Sequence, residues 1–231
     1  MSSTLSTDAI SKLPLFAGLA PEALDRLTEL LQLRTVPAGT QLASAHQRGD
    51  KVFVILEGSV KVQHYTSEGA EVTLALLGPG NTVGEMGLVG PTGTSADVVT
   101  RETTTLVWMD RRTFKECLEK VPGLSQNLIT QLIVRLRSAN ERIEALSILD
   151  VTGRVARQIL TLAEEYGQPV EDGIRITLPL TQSDIAEMVA ATRERVNHVI
   201  VRLKKDGMLS VAHRRHITIH KPEELAKLFA G

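Results

Sequence analysis

From Leu124 to Leu149 the chain contains neither proline nor glycine, and Ile129, Ile133, Leu136, Asn140 and Ile143 recur at alternating spacings of four and three. That period puts the five on one seam of a long, unbroken helix from about Gly123 to Leu149. The flanking Gln131, Arg135, Arg137, Ser138 and Arg142 are polar, so the apolar stripe is narrow, as in a two-stranded coiled coil. The seam predicts a parallel homodimer through residues 123–150. The alternative is a long surface helix packed on its own domain, and periodicity alone does not separate the two.

At 231 residues the chain can build two modest cores, one on each side of such a rod. Hydrophobic residues make up 42% and charged residues 23%, and no apolar run is long enough to span a membrane. Met1 to Asp8 is polar, without a basic-then-apolar signal pattern, and a cytoplasmic protein is expected. The single cysteine, Cys117, excludes an intrachain disulfide, a cysteine-ligated zinc site and an iron–sulfur cluster built on this chain's thiolates. The six histidines do not cluster at ligand spacing, so no metal is expected. Charge, by contrast, is uneven. Arg193, Arg195, Arg202, Lys204, Lys205, Arg214, Arg215 and Lys221 stand against only Glu194 and Asp206, which leaves +6 on one end of a chain whose net charge is −1. Such an end suits a polyanion, although a solvated helix face has the same composition.

Before the rod, Ser11 to Leu31 carries apolar residues at helical spacing. It is interrupted at Pro14 and Gly18, and a second helix is predicted over Glu22 to Leu31 behind Pro21. From Thr35 to Asp110 short β-branched or alternating runs follow: Lys51 to Leu56, Ser59 to Tyr65, Val72 to Leu77, Ala96 to Thr100 and Thr104 to Met109. Turn clusters such as Pro37-Ala38-Gly39, Glu57-Gly58 and Gly78-Pro79-Gly80 separate them, the pattern of a β-sandwich or jelly-roll barrel around a small pocket. Arg111 to Lys120 is helical again, and Pro122-Gly123 breaks it.

Beyond the rod, Val151-Thr152-Gly153 reads as a loose hinge, Arg154 to Tyr166 as a helix and Ile174 to Leu178 as a strand. Thr181-Gln182-Ser183-Asp184 then starts a helix, with Thr181 as cap and Asp184 at its amide end. After Ala190-Ala191, Thr192 caps a second helix that runs to Asp206, where Gly207 provides a left-handed stop. This is a helix-turn-helix. Val196, Val199, Ile200 and Leu203 form its inward stripe, so Arg193, Glu194, Asn197 and His198 face outward from the first turns, where a recognition helix meets base edges. Arg suits guanine and Glu suits cytosine N4, while Asn and His reach a base edge or a phosphate. An intrahelical Glu194 to His198 pair is the alternative use of that carboxylate. Arg202, Lys204 and Lys205 come later and suit phosphates or water. Met208 to His220 alternates as a hairpin with His213-Arg214-Arg215 at its tip, a wing. Pro222 to Phe229 closes the chain as a small helix.

Taken together, these residues resemble the cyclic-AMP receptor protein and fumarate-nitrate reductase regulator (CRP/FNR) family over nearly the whole chain. The matching segments are Pro14-Leu15-Phe16, Arg48-Gly49-Asp50, Gly58-Ser59-Val60-Lys61-Val62, Leu77-Gly78-Pro79-Gly80, Gly84-Glu85-Met86-Gly87-Leu88, Leu149-Asp150-Val151-Thr152-Gly153-Arg154 and Thr192-Arg193-Glu194-Arg195-Val196. The resemblance implies an α+β fold in three parts. These are a cyclic-nucleotide-binding jelly-roll barrel over 1–122, a dimerisation helix and hinge over 123–150, and a winged helix-turn-helix domain over 151–231.

It further implies a cytoplasmic, homodimeric transcription regulator, an activator, that binds palindromic double-stranded DNA, engages RNA polymerase and is controlled by cyclic AMP. Gly84, Glu85, Met86, Thr94, Ser95, Ala96, Arg135 and Asn140 would face the ligand. Glu85 would meet the ribose 2′-hydroxyl, and Ser95 with Ala96 the cyclic phosphate. For Asn140 two uses stay open, contact with the adenine amino group or a register-setting polar residue in the dimer seam. For Glu85 the alternative is a loop-stabilising carboxylate. Thr94 departs from the pattern, since the family's phosphate-pairing position is normally Arg. Losing a charge-assisted hydrogen bond of about 1.5–3 kcal/mol weakens an anion about tenfold to a hundredfold or more. On the DNA side the resemblance implies Thr181, Gln182, Thr192, Arg193, Glu194, Asn197, His198, Arg202 and Arg214. Arg193 and Glu194 would read bases, and His198 stands where Arg or Lys is usual.

Two other functions compete. One is a regulator of the same shape that is ligand-independent or senses another metabolite. The other is a cyclic-nucleotide-controlled enzyme or channel module, which lacks a catalytic triad, a phosphate loop and a membrane segment. No enzymatic activity is expected.

Overall fold

The structure, a computed structural model, describes residues 5–45, 47, 49–69, 71–89, 93–212 and 215–229. The chain divides into two units, residues 1–136 and 137–231. The first starts with helices α1 (Thr7–Ser11) and α2 (Pro21–Leu30). Strands β1 (Gln32–Val36), β2 (Gln41–Ala43), β3 (Lys51–Glu57), β4 (Val60–Tyr65), β5 (Glu71–Leu77) and β6 (Thr82–Val83) follow. After helix α3 (Glu85–Val89) come β7 (Asp97–Thr100), β8 (Thr104–Asp110), helix α4 (Arg111–Lys120) and the long α5 (Pro122–Ile148). The eight strands form two antiparallel four-stranded sheets, ordered β1-β8-β3-β6 and β2-β7-β4-β5, the predicted jelly roll.

Strand β3 shows why the sequence reads as it does. Phe53 and Ile55 point between the sheets, with Val36, Val60, Leu77, Val83, Val98 and Leu106. Val52 and Val54 point the other way, into a second core with Val107 and Met109 of β8, Phe16 from the turns after α1, and Leu27, Phe114 and Leu124 from the covering helices. A strand buried on both faces shows a continuous apolar run instead of alternation, and Val52 to Ile55 is that run.

Several elements escaped the sequence reading. The first helix ends at Ser11, and residues 12 to 18 form turns, so the apolar spacing there serves packing of Leu15 and Phe16 rather than a helix. Strands β2 and β6 and helix α3 span two to five residues, too few to display a period. Strand β1 buries only Val36, so its alternation is blurred.

The second unit contains the rest of α5, then α6 (Val151–Tyr166), β9 (Gly167–Val170), β10 (Gly173–Ile176), α7 (Gln182–Met188), α8 (Arg193–Lys205), β11 (Leu209–Val211), β12 (Ile217–Ile219) and α9 (Pro222–Ala226). Its sheet is antiparallel, ordered β11-β12-β10-β9, and Pro169 is tolerated because β9 lies at the edge. The β11–β12 hairpin is the expected wing, with Leu209 opposite Ile219; its tip residues His213 and Arg214 lie outside the described residues. Gly153 is no hinge. It is buried inside the first turn of α6, where its amide donates to the Asp150 carboxylate at 2.8 Å, and a Cβ there would meet the Leu228 carbonyl oxygen at 3.1 Å. The helical break falls instead at Leu149-Asp150, because Asp150 is the N-cap of α6.

The apolar row of α5 is exposed, Ile129 at 57%, Leu136 at 62% and Ile143 at 63%, with Ile133 and Asn140 between them. Leu132, Val134, Leu146 and Ile148 are exposed too, so the apolar surface is broader than a narrow stripe. Residues expected merely to flank the seam turn inward. Gln131 and Arg135 are partly buried in the first unit, and Ser138 and Arg142 in the second, again at spacings of four and three.

Candidate functional site

In the barrel unit the site is built around one turn. Gly84 follows β6 with φ +90°, and a Cβ there would lie 2.5 Å from the Lys51 carbonyl oxygen, so no other residue fits. Glu85 then opens α3 and is 3% exposed. Its Oε1 lies 2.7 Å from Nη1 of Arg135, which comes from α5. Arg135 Nη2 also donates to the Thr82 carbonyl and, at 3.5 Å, to Asn81 Oδ1. Burial pushes the Glu85 pKa above its ordinary value, while the Arg135 guanidinium and hydrogen bonds to Glu85's own backbone and to Arg135 pull it down more weakly.

A second arginine holds the far end of this helix. Arg111 Nη2 donates to the carbonyls of Leu88 at 2.8 Å and Gly87 at 3.2 Å, and Nη1 to that of Gly49 at 3.4 Å. Cations favour the carbonyl end of a helix. Nothing in the sequence around Arg111 announces this clamp.

Four buried polar atoms on Thr82, Gln131 and Arg135 have no partner among the described residues: Thr82 Oγ1, Gln131 Nε2 and Oε1, and Arg135 Nε. Gln131 sits one turn before Arg135, which itself bonds Thr82. Buried donors and acceptors are nearly always satisfied, so this wall suits a polar guest or ordered water. Beside Gly84 a cavity of about 110 Å³ is lined mainly by polar residues, including Thr94, Gln41, Ser44, Gln47 and Lys51. Thr94 is buried and its amide donates to the Gln47 carbonyl at 2.9 Å. Ala96 is buried, whereas Ser95 and Met86 are exposed and in contact, Ser95 Oγ to Met86 Sδ at 3.9 Å. Thus Glu85 and Arg135 meet directly, Gly84 and Thr94 share the cavity wall, and Asn140 is exposed in the apolar row of α5. Among the described residues no group of three His, Cys, Asp or Glu side chains is arranged to hold a metal ion.

The second unit presents the helix-turn-helix. Thr181 and Asp184 form a complete capping box: Thr181 Oγ1 accepts from the Asp184 amide at 3.0 Å, and Asp184 Oδ2 from the Thr181 amide at 2.8 Å. Thr192 caps α8 by accepting from the Arg195 amide at 3.3 Å, and Gly207 follows the helix with φ +66°. Val196, Val199, Ile200 and Leu203 are buried, and Arg193, Glu194, Asn197 and His198 are exposed, as the period required. Among the described residues no ion pair joins Glu194 to His198, while Arg202 approaches Asp206 at 3.8 Å. Gln182 Nε2 donates to Asn197 Oδ1 at 2.8 Å, tying the first helix to the second. Arg214 lies outside the described residues.

In this unit two residues were missed by sequence reasoning. Val201 is 55% exposed among the cations of α8, a signal readable from its place outside the buried stripe. Arg142, assigned only to the flank of the rod, donates to the Met188 carbonyl at the end of α7 at 3.2 Å; burial holds its pKa below the ordinary value.

Comparisons with known proteins match both units. Residues 33–121 fit the cyclic nucleotide-binding domain family, and residues 153–228 the Crp-like helix-turn-helix domain family. The CRP-like cAMP-activated global transcriptional regulator of Mycobacterium tuberculosis H37Rv is 30% identical over 220 residues, covering 95% of this chain and 98% of that one. The cyclic AMP receptor protein of Thermus thermophilus is 31% identical over 196 residues, covering 85% and 88%. The structure of FixK2 from Bradyrhizobium japonicum aligns with a TM-score of 0.77 at 18% identity, over 87% of this chain and 98% of that one, and so shares its fold. With a jelly roll that matches the cyclic nucleotide-binding domain family, a long apolar-faced helix and a capped helix-turn-helix beside a wing, this chain belongs to the CRP/FNR family of DNA-binding transcription regulators.

Proposed function

We propose that the protein works in the cytoplasm as a homodimeric, sequence-specific activator of transcription whose DNA affinity is set by cyclic AMP bound in the barrel. The observation that carries this reading is the exposed apolar row of α5. Ile129, Ile133, Leu136 and Ile143 repeat at coiled-coil spacing with no covering surface among the described residues. A second copy, laid parallel, would cover them, and Asn140 in the row would set the register. Two-fold symmetry then matches two recognition helices to the half-sites of a palindrome. RNA polymerase is the partner an activator requires. We keep the functional division 1–122, 123–150 and 151–231, although the contact boundary falls inside α5.

Cyclic AMP is supported by the cassette Gly84-Glu85 and by the orphaned polar wall of Thr82, Gln131 and Arg135. Glu85 would accept from the ribose hydroxyl, and Ser95 and Ala96 would lie at the phosphate. Because Thr94 brings no charge, the cations at hand are Lys51 on the cavity wall and Arg135, which is paired with Glu85. At the DNA face Arg193 and Glu194 read bases, His198 and Thr192 flank them, and Arg202, Thr181 and Arg214 approach the phosphates.

Sedimentation of the full chain at micromolar concentration tests the dimer, and a single-chain species with DNA and nucleotide present would overturn it. Titration calorimetry with cyclic AMP tests the ligand. Heat that is lost in Glu85→Ala is expected, and no heat at millimolar nucleotide would remove cyclic AMP in favour of another effector.

A further inference from the structure

Three arginines line one cleft in the second unit. Arg142 comes from the last turns of α5, and Arg154 and Arg157 lie one turn apart on α6, around an opening of about 20 Å³ that falls wholly within residues 137–231. Among the described residues Glu141 is the one carboxylate on its wall, so three positive charges against one negative leave +2. Ser138 and Gln158 add neutral donors. The cleft faces away from the exposed apolar row of α5, because Ser138, Arg142 and Ala145 follow the inward spacing of that helix. Covering the row therefore leaves the cleft open.

The three cations are not equally provided for. Arg157 Nη2 donates to Glu144 at 2.9 Å, and Arg142 Nη2 to the Met188 carbonyl at 3.2 Å. The Arg154 side chain makes no hydrogen bond or ion pair with any described residue, and its Nε is buried. A guanidinium drawn partly out of water without an acceptor is costly, since buried charges are paired and buried donors satisfied. The guest that satisfies such a wall is a small anion with several acceptor atoms. The planar fork of arginine matches two oxygens of an oxyanion, and where a water needs about 10–15 Å³ the cleft has room for one small polar group. We propose that this cleft is a binding site for a phosphate-class oxyanion, held by Arg154 with Arg142 and Arg157 beside it. It shares no residue with the barrel cavity. Because Arg142 also holds the Met188 carbonyl, a guest there ties α5 and α6 to the end of the first helix of the helix-turn-helix.

Thermal unfolding of the full-length protein, free of DNA and nucleotide, tests the site, with potassium phosphate compared against potassium chloride at equal ionic strength. Millimolar phosphate should raise the melting temperature of the second unit beyond chloride. Arg154→Gln should weaken phosphate about tenfold or more, through the loss of a charge-assisted hydrogen bond. In chloride alone the same variant should melt at or above the wild type, because the unpaired charge is gone. A melting temperature well below the wild type there would make Arg154 a support of the fold and overturn the site. Arg154→Lys keeps the charge without the fork and should bind with intermediate affinity, and Arg175→Gln, which removes an exposed cation outside the cleft, should bind like the wild type. Equal effects of phosphate and chloride, or equal phosphate affinity in wild type and Arg154→Gln, would also overturn it. The DNA backbone is the other source of phosphate oxygens, and the salt dependence of DNA binding separates the two. An unchanged slope in Arg154→Gln supports a free anion, whereas a slope smaller by about one, with no phosphate effect on the DNA-free protein, gives the cleft to the duplex and overturns the free-anion site.

Discussion

Replacing Arg135 with Met removes the charge from the buried pair while keeping a side chain of similar length. Glu85, 3% exposed, would then face the barrel wall without its cation. Removing one partner of a buried ion pair costs about 3–5 kcal/mol, because the survivor is left uncompensated. Loss of the bond to the Thr82 carbonyl adds about 0.5–1.5 kcal/mol. For a unit of this size the melting temperature of the barrel should fall by about 10–20 °C.

The penalty should also depend on pH. Burial already raises the Glu85 pKa against the pull of Arg135, and without Arg135 it rises further. A carboxyl whose folded pKa is raised contributes stability that is complete below its unfolded pKa and is lost as pH rises through the folded one. The deficit of Arg135→Met should therefore be smaller at a pH near the ordinary carboxylate range than at neutral pH, as Glu85 takes up a proton. The double variant Glu85→Gln/Arg135→Met should recover most of the loss and be insensitive over that range. Scanning calorimetry of the N-terminal transition in wild type, single and double variants measures all three quantities. A deficit below about 1 kcal/mol at both pH values, or one that grows on acidification, would refute the reasoning.

Other expectations follow from the second unit. Arg193→Ala and Glu194→Ala should each cost about 1–3 kcal/mol at the selected site and little on random DNA, while Lys204→Ala should weaken both alike, as read by binding titrations at fixed salt. Ala190 holds φ +48° in the link between α7 and α8, a left-handed conformation that costs a non-glycine residue about 1–2 kcal/mol. After the extra unfolded-state entropy of glycine, Ala190→Gly should stabilise the winged-helix unit by about 0.5–1 kcal/mol in urea denaturation. Arg142→Ala should destabilise the same unit by about 1.5–3 kcal/mol through the lost bond to the Met188 carbonyl, and an unchanged midpoint would exclude that contact as a support.

The sequence by itself determined the elements whose signals are local and periodic. The rod from Pro122 to Ile148, the caps Thr181-Asp184 and Thr192, and the inward stripe of α8 were all legible, because capping chemistry and the 3.6-residue period involve only near neighbours. The segment from Gly84 to Ala96 was singled out by resemblance, each residue as a separate letter. Only the tertiary structure decided their pairings. That Glu85 is neutralised by Arg135 fifty positions away, that Arg111 clamps the end of α3, and that Gln182 grips Asn197 are meetings between elements. The same holds for the placement of Gly153, which looked like a flexible joint because glycine is permissive but lies in the first turn of α6, close against the Leu228 carbonyl. A chain's pattern specifies which face of an element is apolar. What the opposite face touches depends on how the elements pack, and on α5 that face carries Arg135, the partner of Glu85.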